Sequence, residues 1–559
     1  MSGVGNARPR AGARAPAGWS AGLSPLESLG GLLLGALLVS SVVVWTTAQV
    51  SARVWSGTWL PLNLGDTFPA VVGLANDPGH PAAAFPSPVA SLVPGAVPFW
   101  STFAVLLAAP LVVTGWVLRR RASSRTEEQT ASARWATKAD LKPLIVKKPA
   151  PGRLTLGTAH GKLLAAEPGH SLLVMGPTQS GKTSGLAIPA ILEWEGPVVA
   201  TSVKTDLLDD TLAARTRRGD VWVYDPTASI RDVTASTWSP LAACTTWQGT
   251  LRTATWLTEA AREGSFHDAD FWYANAAKLL APLLFAAAAS GRTMADVVRW
   301  VDLQEQQDVD LELEVAGVPE AIAAFAATTK REERARSSVY TTAETVLRAF
   351  ADPSVAGSAA TSEIDPARLF DGGSHTLYVS APLHEQARLR PLFTALVQTV
   401  LMTAYEHAAD GGRLDPPLLL VLDEAANIAP LRDLAQIAST AAGLGIQLVT
   451  VWQDRAQIAN RYGSSAPTVV NNHRAKLVLS GVADTGTTSE AAQLVGEAEV
   501  DRRSTTIDAE GRVSATRATQ SQLLATTSGI RTMRPFEGLL VYGNLPSARI
   551  RLLPWFDRR

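Results

Sequence analysis

The 559-residue chain has a single cysteine, Cys244. An internal disulfide is therefore impossible, and a cysteine-based zinc site is excluded. The eight histidines fall at no spacing that would ligate a metal. Charge is sparse as well: charged residues make up 18% of the chain and the net charge is −1. Such a molecule does not bind polyanions with its whole surface, so any contact with nucleic acid must come from a local patch or channel. Only ten of the fifty basic residues are lysine, which leaves arginine to carry most basic chemistry. Hydrophobic residues reach 46%, high enough to direct attention to membrane-length runs. The length suits two or more domains.

Two runs meet that test. Leu29 to Val50 carries no charge over 22 residues, and Val97 to Leu118 is a second uncharged run. At about 1.5 Å per residue each spans the roughly 30 Å hydrocarbon core of a bilayer. The first run is too long for a cleaved signal, whose apolar region is about 7–15 residues. Arg8, Arg10 and Arg14 precede the first run, and Arg119, Arg120, Arg121 and Arg125 follow the second. The loop between them has few basic residues. The positive-inside rule then places both termini in the cytoplasm and the loop outside, in a two-span membrane protein.

The strongest chemical signal is "GPTQSGKT", Gly176 to Thr183. It fills every fixed position of the phosphate-loop pattern and follows the strand-like run "SLLVM". Gly176 and Gly181 let the backbone curl around phosphates, with Pro177, Thr178, Gln179 and Ser180 between them. Lys182 is expected on the β- and γ-phosphates and Thr183 on Mg²⁺, with a helix N-terminus behind them. The bound cofactors are then ATP and Mg²⁺.

A second apolar run, Leu418 to Leu422, ends in Asp423-Glu424. Carboxylates at the carboxyl end of a buried parallel strand land beside the phosphate loop. Asp423 is expected to hold Mg²⁺ through water, and Glu424 to act as general base on the attacking water. A third run, "GIQLVTVW", ends at Gln453, which can contact the γ-phosphate or that water. Gly196–Val203, Val221–Asp225, His375–Ala381 and Ala475–Gly481 read as further strands. Strands alternate with helical stretches, so the fold class is α/β with a doubly wound, mostly parallel sheet. An ABC-type ATPase needs an LSGGQ-like segment between loop and acidic strand. The nearest string, "LSGVA" at Leu479 to Ala483, comes after it.

The order of parts is informative. Two spans are followed by "ARWATKADLK" (Ala133–Lys142), "GPTQSGKT", "VKTDLL" (Val203–Leu208), "YDP" (Tyr224–Pro226), "WSPL" (Trp238–Leu241), "FW" (Phe271–Trp272), "LDEAANI" and "VWQDRAQI". From the first span to about Gly481 this resembles the TraG-like type IV coupling proteins, the membrane ATPases of conjugation and type IV secretion. The resemblance implies a RecA-like P-loop ATPase with an inserted all-helical domain and an N-terminal transmembrane hairpin. It also implies a homohexameric ring that takes DNA, single-stranded and relaxase-bound, to the proteins of a type IV secretion channel. Substrate recognition falls to the helical insertion. The expected layout is a cytoplasmic tail 1–28, spans 29–50 and 97–118 around an extracytoplasmic loop 51–96, a juxtamembrane linker 119–160, a nucleotide-binding domain from 161–243 and 361–559, and a helical domain 244–360.

One departure stands out. Many members of this family carry an arginine shortly before the glutamine-ending strand, expected to reach a neighbour's nucleotide. Ser439 to Gln447 contains no basic residue. Arg455, Arg474 and Arg432 are the candidates for an arginine finger. After Asp484 the chain turns polar up to Arg531, which reads as a solvated loop, with a phosphate-touching channel loop as the alternative. "FEGLLVYGNLPSARIRLLPWF" reads as a hairpin turning at Asn544 to Ser547 and pairing on the sheet edge. The functional expectation is a coupling ATPase. The alternatives are a chromosome-segregation pump, which usually has four spans and a basic DNA-reading tail, or a slow-hydrolysing receptor that only recruits protein.

Overall fold

Apolar runs too short for helices and bounded by turns form strands buried on both faces. The computed structural model describes residues 25–262, 269–507 and 513–558. Arg8, Arg10 and Arg14 lie outside the described residues, as do residues 263–268 of the expected helical domain. The described residues fall into two compact units, divided between Ala131 and Ser132.

In the first unit, α1 (Pro25–Ser56) and α3 (Ala96–Ala131) are long helices, joined through α2 (Thr67–Asn76). Gly35–Ser56 of α1 is long and apolar enough to cross a membrane. The second expected span lies within α3, whose Ala96–Pro110 stretch is apolar. These two apolar helices fit a membrane location. The connection between them is a small folded cap rather than an open loop. Leu60, Leu62, Leu74, Phe85 and Val89 pack with Ala48, Ala52 and Phe99 of the helices. Polar ties hold it: Trp45 Nε1 donates to Leu62 O at 2.9 Å, and Gln49 exchanges two hydrogen bonds with the Leu60 backbone at 2.9 and 3.0 Å.

The second unit is a 12-stranded sheet covered by helices. In chain order come β1 (Ile145–Val146), β2 (Thr155–Ala159), β3 (Lys162–Ala165), β4 (Leu172–Met175), α4 (Ile188–Glu193), β5 (Val198–Ser202), α5 (Asp206–Thr216) and β6 (Val221–Tyr224). An all-helical stretch follows: α6 (Trp247–Ala261), α7 (Ala269–Ala289), α8 (Met294–Asp302), α9 (Gln307–Ala316), α10 (Pro319–Thr329), α11 (Glu333–Leu347) and α12 (Pro353–Ser358). The chain returns through β7 (Thr376–Ser380), α13 (Gln386–Gly411), β8 (Leu418–Leu422), α14 (Leu434–Leu444), β9 (Ile446–Trp452), α15 (Arg455–Tyr462), α16 (Ala466–Asn472) and β10 (Ala475–Leu479). It ends with α17 (Thr485–Val495), β11 (Glu497–Ile507), β12 (Val513–Leu523), α18 (Thr527–Arg531), β13 (Glu537–Tyr542) and β14 (Ala548–Arg551).

The sheet order is β1-β3-β2-β14-β13-β10-β4-β9-β8-β5-β7-β6. The seven strands from β10 to β6 are mutually parallel. These seven are the runs legible in the sequence. Alternate residues of β4 enter opposite cores: Leu173 and Met175 on one face, Leu172 and Val174 on the other. The insertion between β6 and β7 extends the first of these cores. Its helix α7 passes the same length and composition test as α1, yet Leu279, Leu280, Leu283 and Leu284 are fully buried there, so it is a core helix.

Three segments differ from expectation. Residues 119–131 finish α3, and 132–160 contribute β1 and β2 to the sheet, so 119–160 is not a bare linker. A tight turn at His160 (φ 49°) and Gly161 (φ 68°) joins β2 to β3, and two positive φ values suit the twist of a two-residue hairpin. The β13–β14 hairpin forms as expected, but it sits between β10 and β2 inside the sheet. The polar stretch 484–531 is not a loop: β11 and β12 pair over 11 residues as a separate antiparallel ribbon.

Candidate functional site

The carboxyl ends of β4, β9 and β8 lie side by side, so the segments that follow them meet at one edge. The backbone fixes this junction. Gly176 N–H donates to Trp452 O at 3.1 Å, Ala425 N–H to Val451 O at 3.3 Å, and Asp423 N–H to Thr201 O at 3.2 Å. The phosphate loop, Asp423-Glu424 and Gln453 are thereby brought together, as the sequence implied.

The loop Gly176 to Thr183 is tightly wound. Gln179 has φ 63° and Gly181 φ 88°, both left-handed. A Cβ on Gly176 would lie 2.6 Å from Ser180 Oγ, and one on Gly181 would lie 2.6 Å from the Phe536 ring. Pro177, Thr178 and Gln179 form the outer rim, with Thr178 and Gln179 exposed. Thr183 opens a π-wound turn, Thr183–Ala187, that runs into α4. Lys182 folds back over the loop, and its Nζ donates to Gly176 O and Pro177 O, both at 2.6 Å.

Thr183 Oγ1 donates to Asp423 Oδ2 at 3.4 Å across the strand ends. Asp423 is buried, and burial pushes its carboxyl up to about 6, with Glu424 adding and Lys182 opposing. Burial likewise lowers the proton affinity of Lys182, against the pull of Asp423 and Glu424. Glu424 adopts φ 56°, an uncommon conformation for a non-glycine residue. Its Oε2 accepts a 3.0 Å hydrogen bond from Asn427 Nδ2. Gln453 starts the segment after β9, and its N–H donates to Gln457 Oε1 at 2.9 Å.

Two observations test whether a nucleotide and a cation fit. Ser180 Oγ is buried without a hydrogen-bond partner inside the loop, where a phosphate oxygen would satisfy it. The Thr183 hydroxyl and the Asp423 carboxylate face each other beside Glu424, and Asp423, raised first by burial and then by Glu424, is a desolvated carboxylate that a divalent cation would hold ionised. The residues present fit both groups.

The arginine candidates are placed apart. Arg455, at the start of α15, is ion-paired with Glu490 of its own chain. Arg432 is ion-paired with Glu259 from α6. Arg474 is exposed at the amino end of β10, and its guanidinium packs at Gly543, where a Cβ would meet it at 2.6 Å. Among the described residues, none of the three makes a hydrogen bond or ion pair with the phosphate loop of its own chain. Sequence reasoning missed Asn427 and Phe536. The spacing from Glu424 to Asn427 was a usable signal, since residues three apart in a turn face each other. Nothing near Phe536 marks it as a neighbour of Gly181.

A phosphate loop, an acidic strand end and an intervening glutamine strand on a mostly parallel sheet define a RecA-like P-loop domain, here with a helical insertion. Residues 121–559 match the family model described as "Type IV secretory system Conjugative DNA transfer". The chain belongs to that family. It is 26% identical over 417 residues to a conjugal transfer protein TraG of Escherichia coli, covering 65% of this chain and 64% of that one. It is 32% identical over 142 residues to a VirD4 protein of Rhizobium radiobacter, covering 24% and 20%. The match spans less than two thirds of the length of these TraG relatives. Among solved structures, the unbound bacterial conjugative coupling protein TrwB superposes with a TM-score of 0.59 at 20% identity, over 77% of this chain and 93% of that one. A TrwB complex with ADP and Mg²⁺ gives 0.58 at 22%, over 76% and 94%. The two share the fold.

Proposed function

We propose that this chain is a membrane-anchored coupling ATPase that uses ATP hydrolysis to recruit relaxase-bound DNA and move it into a type IV secretion channel. The observation that carries this is the meeting of Lys182, Thr183, Asp423 and Glu424 at one sheet edge in a chain of the conjugative DNA transfer family. The loop Gly176 to Thr183 would hold the triphosphate, with Lys182 leaving its carbonyl partners for the phosphates. Thr183 and Asp423 would hold Mg²⁺, which supplies charge neutralisation of the phosphates. Asn427 orients the Glu424 carboxylate, which takes a proton from the attacking water. Gln453, backed by Gln457, orients that water. An arginine from a neighbouring copy, Arg455, Arg474 or Arg432, completes the charge in a homohexameric ring. The two spans anchor the ring with both termini in the cytoplasm, and the helical insertion α6 to α12 receives the single-stranded cargo and its relaxase.

The test is Lys182→Ala in the full chain. ATPase activity and plasmid transfer fall to background while membrane insertion persists. Normal transfer by this variant ends the motor reading. Hydrolysis measured with and without single-stranded DNA separates a motor, which is stimulated, from a receptor that only presents protein.

A further inference from the structure

Two segments leave the catalytic edge. One follows β8, beginning at Glu424 and ending at Asp433. The other follows β9 from Gln453 through α15 to Tyr462. Their far ends are tied together: Arg461 Nη2 donates to Pro430 O at 3.3 Å, and Tyr462 Oη donates to Leu431 O at 2.9 Å. The Tyr462 ring also meets edge-on the ring of Trp452, whose carbonyl holds the first glycine of the phosphate loop. At eight residues α15 is about 12 Å long, so this junction stands one short helix away from Gln453.

At the junction opens a cavity of about 800 Å³, within the roughly 300–1,000 Å³ of ligand sites. Arg262, Arg432 and Arg461 line it, beside Ser465 and the carboxylates Glu259 and Asp433. Arg432 is paired with Glu259, and Arg262 with Asp270. Arg461 has no ion-pair partner among the described residues. Burial lowers its proton affinity, and Arg390 and Arg262 add like charge that Tyr462 and Glu259 partly oppose. A guanidinium desolvated among other guanidiniums is relieved by an anion, and its planar fork matches two oxygens of a phosphate. The lining offers no open aromatic face, because the Tyr462 hydroxyl and ring are both engaged. The chemistry favours backbone charge over base identity.

We propose that this cavity is a phosphodiester site that binds the backbone of single-stranded nucleic acid, and that its occupancy is carried to Glu424 and Gln453 along the two tied segments. The proposal rests on the coupling-ATPase reading. It explains how cargo outside the nucleotide site could set the rate of hydrolysis, since one junction holds the ends of both catalytic segments.

The experiment measures binding of a labelled single-stranded oligonucleotide to the detergent-solubilised full chain over a range of salt, together with the ratio of ATPase rates with and without that oligonucleotide. Losing one phosphate contact lowers the slope of log K against log salt by about 0.7 for a single strand. Arg461→Ala gives that lower slope and a stimulation ratio near one, whereas Arg461→Lys keeps the wild-type slope. Ser465→Glu, which places a negative charge at the exposed rim, weakens binding in the same way and decides the matter should Arg461→Ala fail to fold. Unchanged slope and unchanged stimulation in the folded variants overturn the site. Loss of relaxase binding with unaltered DNA binding also overturns it, in favour of a protein ligand. A wild-type chain that neither binds nor responds to the oligonucleotide overturns the coupling reading itself.

Discussion

His473 offers a sharp test of how the sheet supports the phosphate loop. The side chain is fully buried between α16 and β10. Its Nδ1–H donates to Val469 O at 2.7 Å, which leaves Nε2 to accept from Thr450 Oγ1 at 3.1 Å. Thr450 Oγ1 accepts in turn from Trp452 Nε1 at 3.0 Å. Every member is satisfied only while the imidazole is neutral. Burial pushes His473 down to about 4 from the ordinary 6.5, against the Val469 hydrogen bond. A folded value below the unfolded one means stability that is complete above pH 6.5 and lost as pH falls toward 4. At 1.36 kcal/mol per unit the full loss is about 3 kcal/mol, and about 2 kcal/mol is already gone at pH 5. His473→Gln retains a donor for Val469 and an acceptor for Thr450 but cannot titrate. Denaturant unfolding of the full chain at pH 7.5 and pH 5 reads the difference. Wild type loses about 2 kcal/mol more than the variant over that interval. Equal pH dependence in the two proteins would refute the neutral-imidazole network.

Other outcomes follow from the same geometry. Glu424→Gln keeps the size and the Asn427 contact but cannot take a proton, so kcat falls at least about a hundredfold with KM for ATP little changed, measured by steady-state kinetics. Gly181→Ala places a Cβ at φ 88° and 2.6 Å from Phe536, and nucleotide affinity measured by calorimetry drops by tenfold or more. Adding Phe536→Ala restores part of that loss and no more, because the left-handed strain of about 1 kcal/mol persists.

Legibility tracked burial. Strands β4 to β10 of the parallel set are covered on both faces, so their sequences are continuous apolar runs and stand out; β8 matches its run Leu418 to Leu422 residue for residue. The candidate site residues were legible because each ends or follows such a run. The ribbon β11–β12 was not, since "DRRSTTIDAEGRVSATRATQSQ" lacks the apolar alternation of a half-buried strand. Strands β2 and β3 were hidden by their shortness and by Gly157, which lies against the backbone of Arg551. The cap between α1 and α3 escaped notice because its core is built from single residues spaced along the chain and borrows Ala48, Ala52 and Phe99 from its neighbours. Positive φ at Glu424 and the orphaned hydroxyl of Ser180 are properties of the folded loop alone.

The β13–β14 hairpin has a consequence for biogenesis. It separates β10 from β2, and Thr158 pairs with Arg551, 393 residues further along. At about 5–20 residues per second a ribosome needs roughly 20 to 80 s between making these partners. During that interval the free edge of β2 presents unpaired N–H and C=O groups, and the edge of β10, made only shortly before β13, joins it near the end. A nascent chain would wait in that state with an unfinished sheet, beside other chains in the same state. Damage to residues 537–551 should then show itself less as a slow enzyme than as a protein that never accumulates.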